Sequence, residues 1–313
     1  MTNTKYLILS LISMILFNAS CKTSETTTVE DTISKAIMPE SDNEKSLLWE
    51  ISGNNLTQSS YLFGTIHMIE SKDYFLPQGT LTAVDASSKM IFEIDMADMN
   101  DPMKLMPLLQ KAYMKGDTTL KDLVTAEDYA LVEAKFKEIG MPLFLLERIK
   151  PMFLSVFATG DFDPQGMENG TIKSYEMEFA KMAEDGNKST GGLESIEYQI
   201  GIFDAIPYKD QADMLMEAIK SSDTEDDSFV KLVNLYKEQD VHGLFEMMKE
   251  DDSIEEFEDV LLFQRNRNWI PIMEEEMKKE RIFFAVGAGH LGGDMGVINL
   301  LRKQGYKVSA VKG

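Results

Sequence analysis

The sequence predicts an α/β fold, with a central mixed β-sheet formed by N- and C-terminal strands around a large helical middle region. Three observations carry this. Short apolar runs of strand length stand at 47–66, 89–95, 281–286 and 306–311. Between them, residues 101–280 carry apolar side chains mostly at spacings of three and four. The last segment reads as strand, helix, strand, which implies a parallel pair with a right-handed crossover. No repeat of solenoid length is present, so residues 47–313 are expected to form one domain whose sheet brings the two ends together.

Leu47–Ser52 and Ser60–Ile66 read as a hairpin around Gly53-Asn54-Asn55. Leu76–Ser88 suits a helix with Pro77 in its first turn, and Lys89–Asp95 is the next strand. The spacing predicts helices over 101–115, 125–139, 142–150, 151–159, 168–185, 195–206, 207–222, 227–238, 241–249, 254–263 and 266–280. Thr125 and Asp128 form a capping-box pattern at the start of one of them. A short strand is expected before Gly191-Gly192. The acidic clusters at 225–227 and 250–252 read as solvated helix starts. Arg281–Val286 is a buried strand. Asp294–Gln304 is a helix closed by Gly305 at C′, and Tyr306–Val311 is the last strand.

Residues 1–20 read as a secretory signal: Lys5, an apolar run from Tyr6 to Phe17, then Asn18-Ala19-Ser20 before Cys21. The run is shorter than the roughly 20 residues a spanning helix needs. Ala19-Ser20-Cys21 resembles a bacterial lipobox, with Asn18 where that pattern usually carries Leu, Val or Ile. The resemblance implies lipidation at Cys21, a membrane anchor and a cell-envelope location, at the outer membrane, on its periplasmic or surface face. The alternatives are an ordinary cut near Ser20 or an uncleaved anchor. Residues 21–46, rich in Ser, Thr and acid, read as a flexible tether. Lys22 follows the cysteine, so the best-known inner-membrane retention residue, Asp, is absent.

Composition excludes some partners. The 313 residues carry 31 Lys and Arg against 53 Asp and Glu, a formal charge of −22. That opposes nucleic-acid binding, which draws on Lys and Arg displacing counterions. It also opposes docking on anionic lipid through a basic patch. One cysteine allows neither a disulfide framework nor a cysteine-based zinc site within the chain.

Two of the three histidines share one setting. Tyr61–His67 and Phe283–His290 each run from apolar strand into Gly-x-x-His, at Gly64 and Gly287. Such a histidine sits beyond the carboxyl end of a strand, where open α/β sheets bind ligands. Glu93 lies among Ile91, Phe92 and Ile94, where an acid needs a partner, a proton or a cation. His67, His290 and Glu93 therefore form a candidate divalent-metal set with room for water. Glu194 is a fourth ligand or a general base. Each residue also has a plainer reading: a hydrogen-bonded histidine, a Glu93 paired with Arg265 or Arg267, a Glu194 at a helix start. His242 reads as a surface residue. Gly287-x-Gly289-x-x-Gly292 satisfies a dinucleotide fingerprint, but the KVSAV strand that follows lacks the acid that reading requires. Neither H-E-x-x-H nor G-x-S-x-G occurs.

The stretches LLWEIS, YLFGTIHM, MIFEIDM, GGLESIEYQ, LLFQRNRNWI and FFAVGAGHLGGDMGVINLLRKQGYKV, in that order, resemble the TraB/GumN family, related to the Tiki metalloproteases. The resemblance implies a site for Mn, Co or Zn held by His67, Glu93 and His290, and a peptidase acting on a peptide or small ester. It maps the Gly-Leu-Glu motif onto Glu194 and the Arg-Asn-Arg motif onto Arg265, Asn266 and Arg267. Glu194 would then relay a proton, Arg265 would steady an oxyanion or play a structural part, and Asn266 and Arg267 would contact substrate. It equally implies an alternative without catalysis, since related superfamily members include haem-binding surface lipoproteins. A surface interaction module with a vestigial site is a third reading.

Overall fold

The computed structural model describes residues 44–98, 110–158, 164–222, 228–249 and 257–311. The signal, Cys21, nearly all of the tether, most of the expected helix at 101–115 and both acidic clusters fall outside the described residues. Among those that are described, no helix is long and apolar enough to cross a membrane.

β1 (Leu48–Gly53) and β2 (Ser60–Thr65) form the expected hairpin, with Leu48 opposite Phe63. Asn54 and Asn55 take the positive φ that the turn requires. β4 (Lys89–Ile94) and β6 (Ser189–Glu194) join them with β7 (Ile282–Gly287) and β8 (Tyr306–Ala310) in a six-stranded sheet of order β6-β4-β7-β2-β1-β8. β6, β4, β7 and β2 are parallel, whereas β1 and β8 are antiparallel to their neighbours. The mixed sheet is built from both ends of the described chain, as the sequence predicts. β7 is central and its first five residues are buried, which accounts for its unbroken apolar run. A small second sheet pairs β3 (Ile69–Glu70) with β5 (Ile172–Lys173).

The predicted parallel pair of the last two strands does not form. β8 pairs antiparallel with β1, and β2 and β1 stand between it and β7. Its alternating exposure suits that edge position: Tyr306 and Val308 are buried and Lys307 is exposed.

The helices are α1 (Thr80–Ala86), α2 (Ala126–Glu138), α3 (Pro151–Ala158), α4 (Pro164–Asn169), α5 (Tyr175–Asp185) and α6 (Ile196–Ile202). They continue with α7 (Tyr208–Ser222), α8 (Ser228–Lys237), α9 (Val241–Lys249), α10 (Gln264–Lys279) and α11 (Val297–Lys303). Thr125 caps α2 by accepting from the Asp128 N–H, as its box predicts.

Several boundaries differ from the expectation. α1 starts at Thr80, after Pro77, because Gly79 at φ 89° breaks the first turn. Residues 142–150 form only a 3-10 turn at Leu143–Leu145, and Tyr113 makes a β-bridge to Ile149. The predicted helix over 168–185 is split by β5 after Gly170, at φ 79°, and Ser174 caps α5 by accepting from Met177 N–H. α11 begins at Val297, three residues later than predicted, because Gly296 before it is extended, at φ −71° and ψ 154°. The strand expected before Gly191-Gly192 instead runs through both to Glu194. A Cβ at Gly192 would lie 2.6 Å from Asp95 N, so glycine permits the close approach to the end of β4.

One core lies on the sheet, where Phe63, Phe179 and Phe283 pack with ring centroids 5.0–6.1 Å apart. A second set of buried side chains, including Val132, Phe136, Leu154, Leu215 and Ile219, joins α2, α3 and α7. A third joins α3, α6 and the segment leading into α10, through Met152, Phe153, Ile200 and Leu262.

Candidate active site

The parallel strands deliver the chemistry to one edge of the sheet. Glu93 is the penultimate residue of β4, Glu194 ends β6, His67 follows β2 by two residues, and His290 closes the 3-10 turn Ala288–His290 after β7. Thr65 is in register with Gly287 and Ile94 with Glu194, which sets all four acid and imidazole groups at the carboxyl ends.

Gly287 lies at the centre. Its N–H donates to Glu93 Oε1 at 2.8 Å. A Cβ built there would meet Glu93 Oε1 at 3.2 Å, His290 Cδ2 at 3.6 Å and His67 Nε2 at 3.9 Å. The α-hydrogen of this glycine thus faces a cradle lined by the three side chains singled out from the sequence.

Arg265 closes the other side. It is the second residue of α10, directly after a π-helical turn over Asp259–Phe263, an irregularity that often marks functional sites. The turn joins what the spacing predicts as two helices, at 254–263 and 266–280. Arg265, Asn266, Trp269, Ile270, Met273 and Met277 form the buried face of α10. The guanidinium donates from Nη2 to Glu93 Oε2 and to Glu194 Oε1, both at 2.5 Å, and from Nε to Glu194 Oε1 at 3.0 Å. Nη1 donates to His290 Nε2 at 3.1 Å. Of the two arginines open to pairing with Glu93, Arg265 makes the bond. Arg267 is exposed and bonds Asp259.

His290 and Asn266 are both buried. Asn266 Nδ2 donates to Met295 O at 2.9 Å, so its Oδ1 is left to accept from His290 Nδ1–H at 2.6 Å. That fixes the tautomer: Nδ1 carries the proton and the Nε2 lone pair points into the cluster. The Trp269 ring lies against the imidazole, with centroids 4.5 Å apart, and its Nε1 donates to Glu194 Oε2 at 3.0 Å. Asn266 is thus spent on holding His290, and Arg267 stands at the surface with Asp259.

The ionisation follows the geometry. Burial works to raise Glu93, but Arg265 and then the histidines outweigh it and hold the carboxyl down to about 2. Burial and the Arg265 charge together push His290 down to about 3. For His67, burial works downward but the Glu176 carboxylate wins, and the imidazole is raised. The site thus holds a neutral His290, an ionised Glu93 and a readily protonated His67.

Three further side chains complete the cluster. Glu176 lies 3.2 Å from His67 Nδ1. Gln199 donates from Nε2 to Glu93 Oε2 at 3.2 Å and to Glu194 Oε1. Trp269 completes the set. Trp269 is one helical turn beyond Arg265, so the helical period could have paired them. Gln199 is five residues past Glu194. Glu176 comes from a distant helix, and nothing local marks it.

The donor chemistry suits a divalent cation: the imidazoles of His67 and His290 and one ionised carboxylate gather at the cradle on Gly287, where a metal would compete with the proton on His67. Among the described residues, however, no three His, Cys, Asp or Glu side chains already stand in metal-holding geometry. Arg265 occupies donor atoms of this set, with Nη1 on His290 Nε2 and Nη2 on Glu93 Oε2.

The glycines after β7 serve packing. A Cβ at Gly289 would meet Met248 Sδ at 2.5 Å and one at Gly292 would meet Val241 O at 2.6 Å, so the turn lies flush on α9. This accounts for Gly289 and Gly292 of the Gly-x-Gly-x-x-Gly pattern without a dinucleotide.

Comparison with known proteins agrees with the motifs. The chain is 22% identical to Metalloprotease TIKI1 of Danio rerio over 86% of this chain and 64% of that protein. It is 21% identical to Metalloprotease TIKI1 of Homo sapiens over 87% of this chain and 63% of that protein. It is 22% identical to the Metalloprotease TIKI homolog of Nematostella vectensis over 86% and 68%. It therefore spans less than two thirds of the first two relatives. No solved structure matches it. The model of the TraB/PrgY/gumN family matches residues 47–310, from the first strand to the last, and the chain belongs to that family.

Proposed function

We propose that the chain is a metal-dependent hydrolase acting on peptide or small ester bonds, with His67, His290 and Glu93 as the side chains that would hold Mn, Co or Zn. The observation that carries this reading is the convergence of these three residues on the α-hydrogen of Gly287. The name metalloprotease borne by the similar proteins supports it. When bound, such a cation would acidify a water and polarise a carbonyl.

The remaining chemistry belongs to the chain. Gly287 N–H and Arg265 orient the two oxygens of Glu93. Asn266 turns the His290 lone pair inward. Arg265 supplies a fixed positive charge beside the reacting groups, suited to a developing oxyanion once Nη1 leaves His290. Glu194 accepts from Arg265, Gln199 and Trp269. We assign it to anchoring the arginine; a proton relay there would need one of those bonds to open. Asn266 is assigned to His290 rather than to substrate. Lipidation at Cys21 and a place at the cell envelope complete the proposal.

Metal content of the purified protein, by mass spectrometry, tests it. His67→Ala, His290→Ala and Glu93→Gln are each expected to lose metal and peptidase activity together. Full retention of metal in all three sinks the reading.

A further inference from the structure

Glu176 stands outside every motif, and it is built into the site with care. It is the second residue of α5, and its carboxylate is held at both oxygens. Thr65 Oγ1 donates to Oε1 at 2.6 Å and Ser174 Oγ donates to Oε2 at 3.0 Å. Thr65 and His67, two residues apart, both reach this one acid, and His67 Nδ1 lies 3.2 Å from Oε1. Glu176 is largely buried, so its charge is weakly screened and acts on the ring beside it.

His290 has a different partner at the same ring position. Its Nδ1–H donates to a neutral carboxamide, Asn266 Oδ1, and its Nε2 takes a hydrogen bond from Arg265. A carboxylate behind an imidazole makes the far nitrogen a better electron donor than a carboxamide does. An arginine at the far nitrogen competes for that lone pair.

We infer that Glu176 is a positioning residue that holds His67 with Nδ1–H outward and Nε2 toward Gly287, making His67 the firmer of two unequal imidazole ligands. This rests on the metal reading above and goes beyond it, because the two Gly-x-x-His motifs are equivalent in sequence.

The test uses cobalt(II) alone as the probe, added to the purified protein and followed by its visible d–d bands, with affinity taken from competition against a chelator. Glu176→Gln is expected to weaken cobalt binding roughly 10–100-fold and to shift the bands. Glu178→Gln, which alters a neighbouring acid on α5 paired with Lys173, is expected to leave both unchanged. Thr65→Val, which frees one oxygen of Glu176, is expected to fall between them. Circular dichroism confirms that each variant is folded. A second readout needs no metal: at alkaline pH, long-range proton–nitrogen NMR of wild type is expected to report His67 protonated at Nδ1, and Glu176→Gln to let the proton redistribute. Wild-type binding with equal affinity in Glu176→Gln overturns the inference and leaves the metal site standing. An unchanged His67 tautomer in Glu176→Gln overturns it on the second ground. Failure of wild type to bind cobalt overturns the metal reading, and the ligand inequality falls with it.

Discussion

After β2 the chain passes through Ile66 to a histidine with about a fifth of its side chain exposed, backed by the carboxylate of Glu176. After β7 it turns once through a 3-10 helix to a histidine that is buried, backed by Asn266 and faced by Arg265. The two loops share Gly-x-x-His after an apolar strand, and their strands are paired in register. Their environments set the two imidazoles apart, one raised and one pushed down to about 3. The comparison teaches that the motif provides the delivery of an imidazole to the sheet edge, while neighbouring elements decide what that imidazole can do.

The largest expected effect comes from the His290 side. Arg265→Leu leaves Glu93 and Glu194 buried without their cation, which should destabilise the protein by about 3–5 kcal/mol in urea unfolding. A loss below about 1 kcal/mol would mean that solvent or a cation already serves those acids.

The two motif glycines sharpen the contrast. A methyl at Gly64 would press on Ala288 Cα and Cβ at 3.1 Å and Leu291 Cδ2 at 3.0 Å. Gly64→Ala is therefore expected to cost about 1–3 kcal/mol by overpacking. A methyl at Gly287 would meet Glu93 Oε1 at 3.2 Å inside the cradle. Gly287→Ala should cost less than about 1 kcal/mol in stability yet abolish cobalt binding. Equal metal affinity in both variants would remove the cradle from the argument.

The smallest effect is a difference of slope with pH. His290 is lowered from 6.5, so its contribution to stability is present above 6.5 and is lost as pH falls toward about 3. His67 is raised from 6.5, so its contribution is present below 6.5 and is lost as pH rises through its folded value. Glu93, lowered from 4.5, loses its contribution as pH falls from 4.5 through about 2. Stability profiles of His290→Gln and His67→Gln should lose opposite limbs: the acid decline in the first, the alkaline decline in the second. Matching changes in the two variants would contradict the asymmetry.

Much of this was legible in the linear chain. The hairpin, β4 and β7 follow from apolar runs, and His67, Glu93 and His290 follow from glycine spacing and an acid in an apolar strand. The helical middle was less so. Residues 142–150 have apolar side chains at helical spacing but form a 3-10 turn and a bridge to Tyr113, because their apolar groups pack on α2 and α3. The partner of β8 was hidden for a similar reason. Local sequence calls for a strand there, but which strand it pairs with is set by the sheet order, which places it beside β1, with β1 and β2 between it and β7.

Residue order alone determined which groups arrive at the carboxyl ends of the strands, since alternation along a strand and the glycine after it are local properties. Only the tertiary structure decided their chemistry. Glu176, Asn266 and Arg265 come from helices far along the chain, and a charge acts through the short, weakly screened distances of a buried site, which no sequence spacing records.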